Sequence, residues 1–75
     1  MKKIKWIIAH ETREDWGIAT KIFEDNNVPL EDRFSDPARP DFWQHVESKD
    51  LPIIGDWEMV LAINLATKEV RLYTK

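Results

Sequence analysis

No cysteine occurs in these 75 residues. Disulfides, thiolate metal sites and thiol nucleophiles are excluded, so folding must rest on hydrophobic burial or on help from another chain. Glycine is nearly as scarce: Gly17 and Gly55 are the only two, and no glycine-rich loop exists to cradle a phosphate. His10 and His45 are the only imidazoles, and neither His10-Glu11 nor His45-x-Glu47 has a recognised metal-ligand spacing. Ser35 and Ser48 stand in no activating context for nucleophilic catalysis. No apolar run approaches a membrane span, and "WIIA" behind the N-terminal lysines is too short for a signal-peptide core. These absences lead us to expect one soluble, cytoplasmic domain over residues 1–75. It is expected to be non-catalytic, with no metal, no cofactor and no membrane partner.

Large aromatics are plentiful: Trp6, Trp16, Trp43 and Trp57 are natural sources of buried area for so small a core. The net charge is -3 and unevenly spread. Residues 1–10 carry three lysines and no acid, residues 11–58 carry thirteen acids against five bases, and residues 59–75 are again weakly basic. A weakly acidic total argues against a general nucleic-acid binder.

Residues 3–10, "KIKWIIAH", alternate Ile4, Trp6 and Ile8 with Lys3, Lys5, Ile7 and Ala9, the period of a strand. "TREDWGIATKIFEDNN" reads as a helix. Thr12 caps it, with Asp15 three residues on in a weak capping box, and Glu14 joins Asp15 in the first turn. Trp16, Ile18, Ala19, Ile22 and Phe23 form its apolar stripe, which puts Ile22 and Phe23 in the core. Gly17 weakens a helix interior and suggests a close approach there. Asn26-Asn27 supply a left-handed cap before Pro29. "PLEDRF" is either a short edge strand or loop. A second helix is expected from Asp36, the cap, and Pro37 onward, with Phe42, Trp43 and Val46 inward and its end at Leu51 at the latest, before Pro52. "WEMVLAINL" and "EVRLYTK" make a hairpin around "ATKE", whose geometry asks for positive φ at Lys68.

The order is β-α-(β)-α-β-β, an α+β layout. We expect a three-stranded sheet, four-stranded if "PLEDRF" pairs, mainly antiparallel, with both helices on one face. The face bearing Trp57, Met59, Leu61, Ile4, Trp6 and Ile8 is the natural one for the helices to cover. The opposite face then carries Ile7, Glu58, Val60, Ala62, Asn64, Arg71 and Tyr73, an apolar centre with a polar rim that resembles an interface. The acids Glu14, Asp15, Glu24 and Asp25 line a helix side that suits a basic partner, including a nucleic-acid-binding protein whose substrate they imitate.

"KIFEDNNVPLED" and "LPII" resemble the thioredoxin and glutaredoxin pattern, at the end of its first helix and at the loop where that family places a cis-proline. The resemblance covers roughly residues 3–54, lacks the family's final helix, and has Arg13 and Trp16 where the paired cysteines would stand. It implies a truncated, cysteine-less thioredoxin-like fold as the alternative architecture, without the redox chemistry.

The functional expectation is a small binding protein acting by protein–protein interaction, of the compact kind found among inhibitors, immunity proteins and phage-encoded antagonists. Its partner is a protein of unknown identity or a second copy in a homodimer, which buries either the sheet face around Val60 and Ala62 or the exposed edge of the hairpin. The alternative is a nucleic-acid-binding module using the open sheet face, where Tyr73 is the one aromatic available for stacking.

Overall fold

A computed structural model describes residues 3–52 and 55–74. Seven consecutive residues, Ile4–His10, form the strand β1. Helix α1 follows at Arg13–Asp25, then a 3-10 turn at Leu30–Asp32 and the strand β2 at Arg33–Pro37. Helix α2 spans Phe42–Lys49, and the strands β3, Met59–Asn64, and β4, Glu69–Thr74, close the fold. The strands form one open sheet in the order β2-β1-β3-β4. The α+β class and the order of elements are as the sequence implies, with the fourth strand present.

Two features of the sheet differ from expectation. It is mixed, not mainly antiparallel: β1 runs parallel to β2 and to β3, and only β3 and β4 are antiparallel. The helices also lie on opposite faces. Phe42 and Val46 of α2 pack with Ile7, Ala9, Val60 and Ala62, whereas Ala19 and Phe23 of α1 pack with Ile8 and Val28. The reason is the handedness of parallel crossovers. The connection from β1 to β2 steps one way across the sheet, and that from β2 to β3 steps back over β1. Two right-handed crossovers in opposite directions must put their helices on opposite sides. The thioredoxin resemblance implies a cis-proline in "LPII". The Leu51–Pro52 bond, however, is trans, since no cis peptide bond occurs among the described residues. Ile53 and Ile54 of "LPII" lie outside the described residues.

β1 is one of the two interior strands, and Ile7, Ile8 and Ala9 are all buried, as a strand covered on both faces requires. The α1 signals hold. Thr12 Oγ1 accepts from the Asp15 amide, the Asp15 carboxylate accepts from the Thr12 amide, and Asn27 follows the helix at φ 52°. Gly17 makes no close approach, for a Cβ built there meets nothing within 4 Å. Phe23 is buried and Ile22 half-buried.

The second helix starts later than expected. Arg33–Pro37 is extended and pairs with β1, and the Ala38 amide donates to the His10 carbonyl at 2.9 Å. Edge pairing consumes the stretch around Asp36-Pro37, so α2 begins at Phe42 beyond Pro40 and ends before Pro52. Between β3 and β4, Asn64 Oδ1 accepts from the amides of Ala66 at 3.0 Å and Thr67 at 3.3 Å, and Lys68 takes φ 61° as expected.

Candidate functional site

The residues expected to present an open face do the opposite. Ile7, Val60 and Ala62 are at most 1% exposed beneath α2, and Asn64 is buried in the turn. Val60 and Ala62 are therefore covered by α2 and present no open surface, whereas the hairpin edge, the other place expected to meet a second chain, is the outer strand β4 of the sheet. Arg71 and Tyr73 lie at the margin of this face and are engaged within the chain. The Arg71 guanidinium sits 4.3 Å from the Trp43 ring centroid and 3.5 Å from the Glu47 carboxylate. Tyr73 Oη donates to Glu47 Oε2 at 2.8 Å. Burial, and then the Glu47 hydrogen bond, hold the Tyr73 phenol above its ordinary value of 10.0. Lys5 is buried in the same layer, where it pairs with Asp50 at the end of α2 and lies 4.3 Å from the Phe34 ring centroid. Tyr73, the aromatic expected to stack bases on this face, is thus committed to α2. Glu58 remains exposed just before β3, where its amide donates to the Lys3 carbonyl.

The opposite face is only half covered. The ladder places Ile4 beside Met59, Trp6 beside Leu61 beside Leu72, and Ile8 beside Ile63 beside Val70. α1 closes over Ile8 and partly over Trp6, Ile63 and Leu65. Farther out, Val70 is 61% and Leu72 57% exposed, and Ile18 on α1 is 49% exposed. The result is an apolar shelf two strands wide, floored by β3 and β4 and walled by α1. Apolar surface gathered this way is a mark of interaction sites. At its lower end the shelf runs past Ile4 and Trp6 into a groove beneath the end of α1, lined also by Asn26, Asn27, Val28 and Pro29.

The acids divide around α1. Trp16 and Thr20 line a small hollow with Arg33 and Ser35 of β2, so that flank of α1 faces β2. Ile22 faces the other way, against Trp6 and Ile63, and Ile18 sits one turn before it on the shelf side. By helical spacing Glu14, Asp15 and Asp25 fall near that side too. Asp15 is held in the capping box, whereas Glu14 and Asp25 are exposed and appear in no ion pair among the described residues. Glu24 lies on the β2 side and pairs with Arg33 at 3.2 Å. The shelf itself, with Val70, Leu72 and Ile18, was missed by the sequence reading. Its signal was the run Ile7-Ile8-Ala9, which demands cover on both sides of β1 and so divides the two helices between the faces.

Among the described residues no three His, Asp or Glu side chains gather as a metal site, and no helix is long and apolar enough to cross a membrane. No family model, curated protein or solved structure matches the chain.

Proposed function

We propose that the chain is a small, non-catalytic binding protein that acts by protein–protein interaction through the apolar shelf on β3 and β4. The observation that carries this reading is the exposure of Val70 and Leu72 beside the half-covered Leu61 and Ile63. A domain of this size gains from burying such a surface against a partner. Its compactness suits an inhibitor, an immunity-type protein or a phage-encoded antagonist, an analogy from size alone. A cytoplasmic location belongs to the same reading.

The test is affinity capture from the source organism with wild type and Leu72→Lys as baits, read by mass spectrometry. A partner held by wild type and lost by Leu72→Lys, with both proteins equally folded by circular dichroism, is the expected result. An unchanged set of captured proteins would remove the shelf from the function.

A further inference from the structure

We propose that the edge of β4 joins two copies of this chain. It pairs antiparallel with β4 of a second copy, in the register that sets Leu72 opposite its own equivalent, and two four-stranded sheets become one. The edge is a different surface from the shelf, and the pairing does not depend on what the shelf binds.

The direction of the backbone groups decides which of them are open. The Leu65 amide donates to the Ala9 carbonyl, so Leu65 and, by alternation, Ile63 and Leu61 turn their backbone groups toward β1. Val60, Ala62 and Asn64 therefore turn theirs toward β4, where they meet Tyr73, Arg71 and Glu69. The amides and carbonyls of Val70, Leu72 and Thr74 are left pointing outward. Among the described residues none of these groups has a partner.

The other edge of the sheet is blunted. The Ala38 amide donates to the His10 carbonyl, so by the same alternation Arg33, Ser35 and Pro37 face outward on β2. The Arg33 amide donates to the Leu30 carbonyl, Pro37 has no amide, and the Pro37 carbonyl accepts from Arg39. Ser35 alone presents both groups. Proteins protect edges in this way against pairing with other chains. β4 has no such protection: its register with β3 runs unbroken from Glu69 to Thr74, it contains no proline, and Val70 and Leu72 stand exposed along it.

This edge is complementary to itself. About a two-fold axis through Leu72, perpendicular to the sheet, Leu72 faces Leu72 and Val70 faces Thr74 in both directions. All are hydrogen-bonded pairs, so every outward amide and carbonyl of β4 is satisfied. On the α2 face Arg71 stands opposite Tyr73, and each Arg71 keeps Glu47 of its own chain as counter-ion. The neighbouring registers are poorer. Val70 opposite Leu72 would set Arg71 directly against Arg71 and bring Thr74 to Lys68, which lies in the turn at φ 61°. Leu72 opposite Thr74 would leave the outward groups of Val70 unused. Closure also favours a second copy. Each chain contributes its one open edge, and the joined sheet ends on a blunted β2 at both sides.

Sedimentation equilibrium of the wild-type chain is expected to show a concentration-dependent dimer. Amide hydrogen exchange, followed by NMR over the same concentrations, should slow about tenfold or more at Val70, Leu72 and Thr74 as the dimer fills, and stay constant at Ser35. Thr74→Pro deletes one outward amide at the end of β4, and Leu72→Lys sets two lysines across the axis. Each should weaken the dimer about tenfold or more while the circular dichroism spectrum is kept. A wild type that is monomeric at high micromolar concentration would overturn the proposal. So would a dimer in which these three amides exchange at an unchanged rate, or one indifferent to Thr74→Pro. Capture separates this result from the shelf reading. If wild type is monomeric and Leu72→Lys still loses captured partners, the edge dimer falls and the shelf stands. If the exchange pattern is as expected and both baits capture the same proteins, the edge dimer stands and the shelf reading falls.

Discussion

Leu72 on β4 stands directly across from Leu61 on β3, in the same row as Trp6 of β1, yet this row runs from half-buried at Trp6 and Leu61 to open solvent at Leu72. The next row, Val60 with Tyr73 and Lys5, points to the other face, and there Val60 is wholly buried. Adjacent residues of one strand therefore belong to surfaces of opposite fate. The difference predicts two opposite responses to the same substitution. Val60→Glu places a charge beneath α2 with no partner and should unfold the domain or cost several kcal/mol. Leu72→Glu should leave the melting temperature within a few degrees of wild type. Thermal melts followed by circular dichroism distinguish them, and a folded, stable Val60→Glu would show that α2 does not cover this face.

Phe23 anchors α1 to the sheet, with the Arg33 guanidinium 5.5 Å from its ring centroid on one side and Ile8 in its cluster. Phe23→Ala should cost about 3–5 kcal/mol, a large share of the stability of so small a domain. Urea denaturation measures it, and a loss under about 1 kcal/mol would mean that the site collapses around the deletion.

Lys68 holds φ 61° in the β3–β4 turn. Lys68→Gly should be neutral or stabilising, because glycine adopts this conformation without strain. Lys68→Val should cost roughly 1 kcal/mol or more, since a β-branched residue resists it. Chemical denaturation of the pair orders them, and the reverse order would contradict the turn geometry.

The two glycines should respond differently to alanine. Gly17 lies inside α1 with open space around it, so Gly17→Ala should stabilise by up to about 1 kcal/mol. A Cβ at Gly55 would come within 2.9 Å of the Trp57 ring, which is held by the hydrogen bond from its Nε1 to Asp32 and by edge contact with Phe34. Gly55→Ala should therefore destabilise. Melting temperatures that move in the same direction for both would refute the distinction.

Tyr73 is the only tyrosine, so its phenolate absorbance reports one group. Its folded value is raised by burial first and by the Glu47 hydrogen bond second. The fold thus favours the protonated phenol. This stabilisation is fully present below the unfolded value near 10.0 and is lost as pH rises through the higher folded value. An alkaline titration should give a midpoint above 10.0 in the native protein and near that value in denaturant. A native midpoint at or below the denatured one would remove the Tyr73–Glu47 clasp between β4 and α2.

Much of the local structure was legible without coordinates. Thr12 and Asp15 announce the start of α1, Asn26-Asn27 and Pro29 its end, and the spacing around "ATKE" the strained Lys68. Each of these depends on groups within a few residues, where side-chain chemistry decides the backbone. The stretch around Asp36-Pro37 misled because its cap-like residues serve equally well at the end of an edge strand, and β1 offered it hydrogen bonds that local propensity cannot register. The strand period correctly separated Val60 and Ala62 from Leu61 and Ile63. Which set becomes core was decided by the direction and handedness of the two crossovers, a property of the whole sheet. Only the tertiary structure puts α2 over Val60 and Ala62, confines α1 to one half of the other face, and leaves Val70 and Leu72 bare. One helix is too narrow to cover four strands.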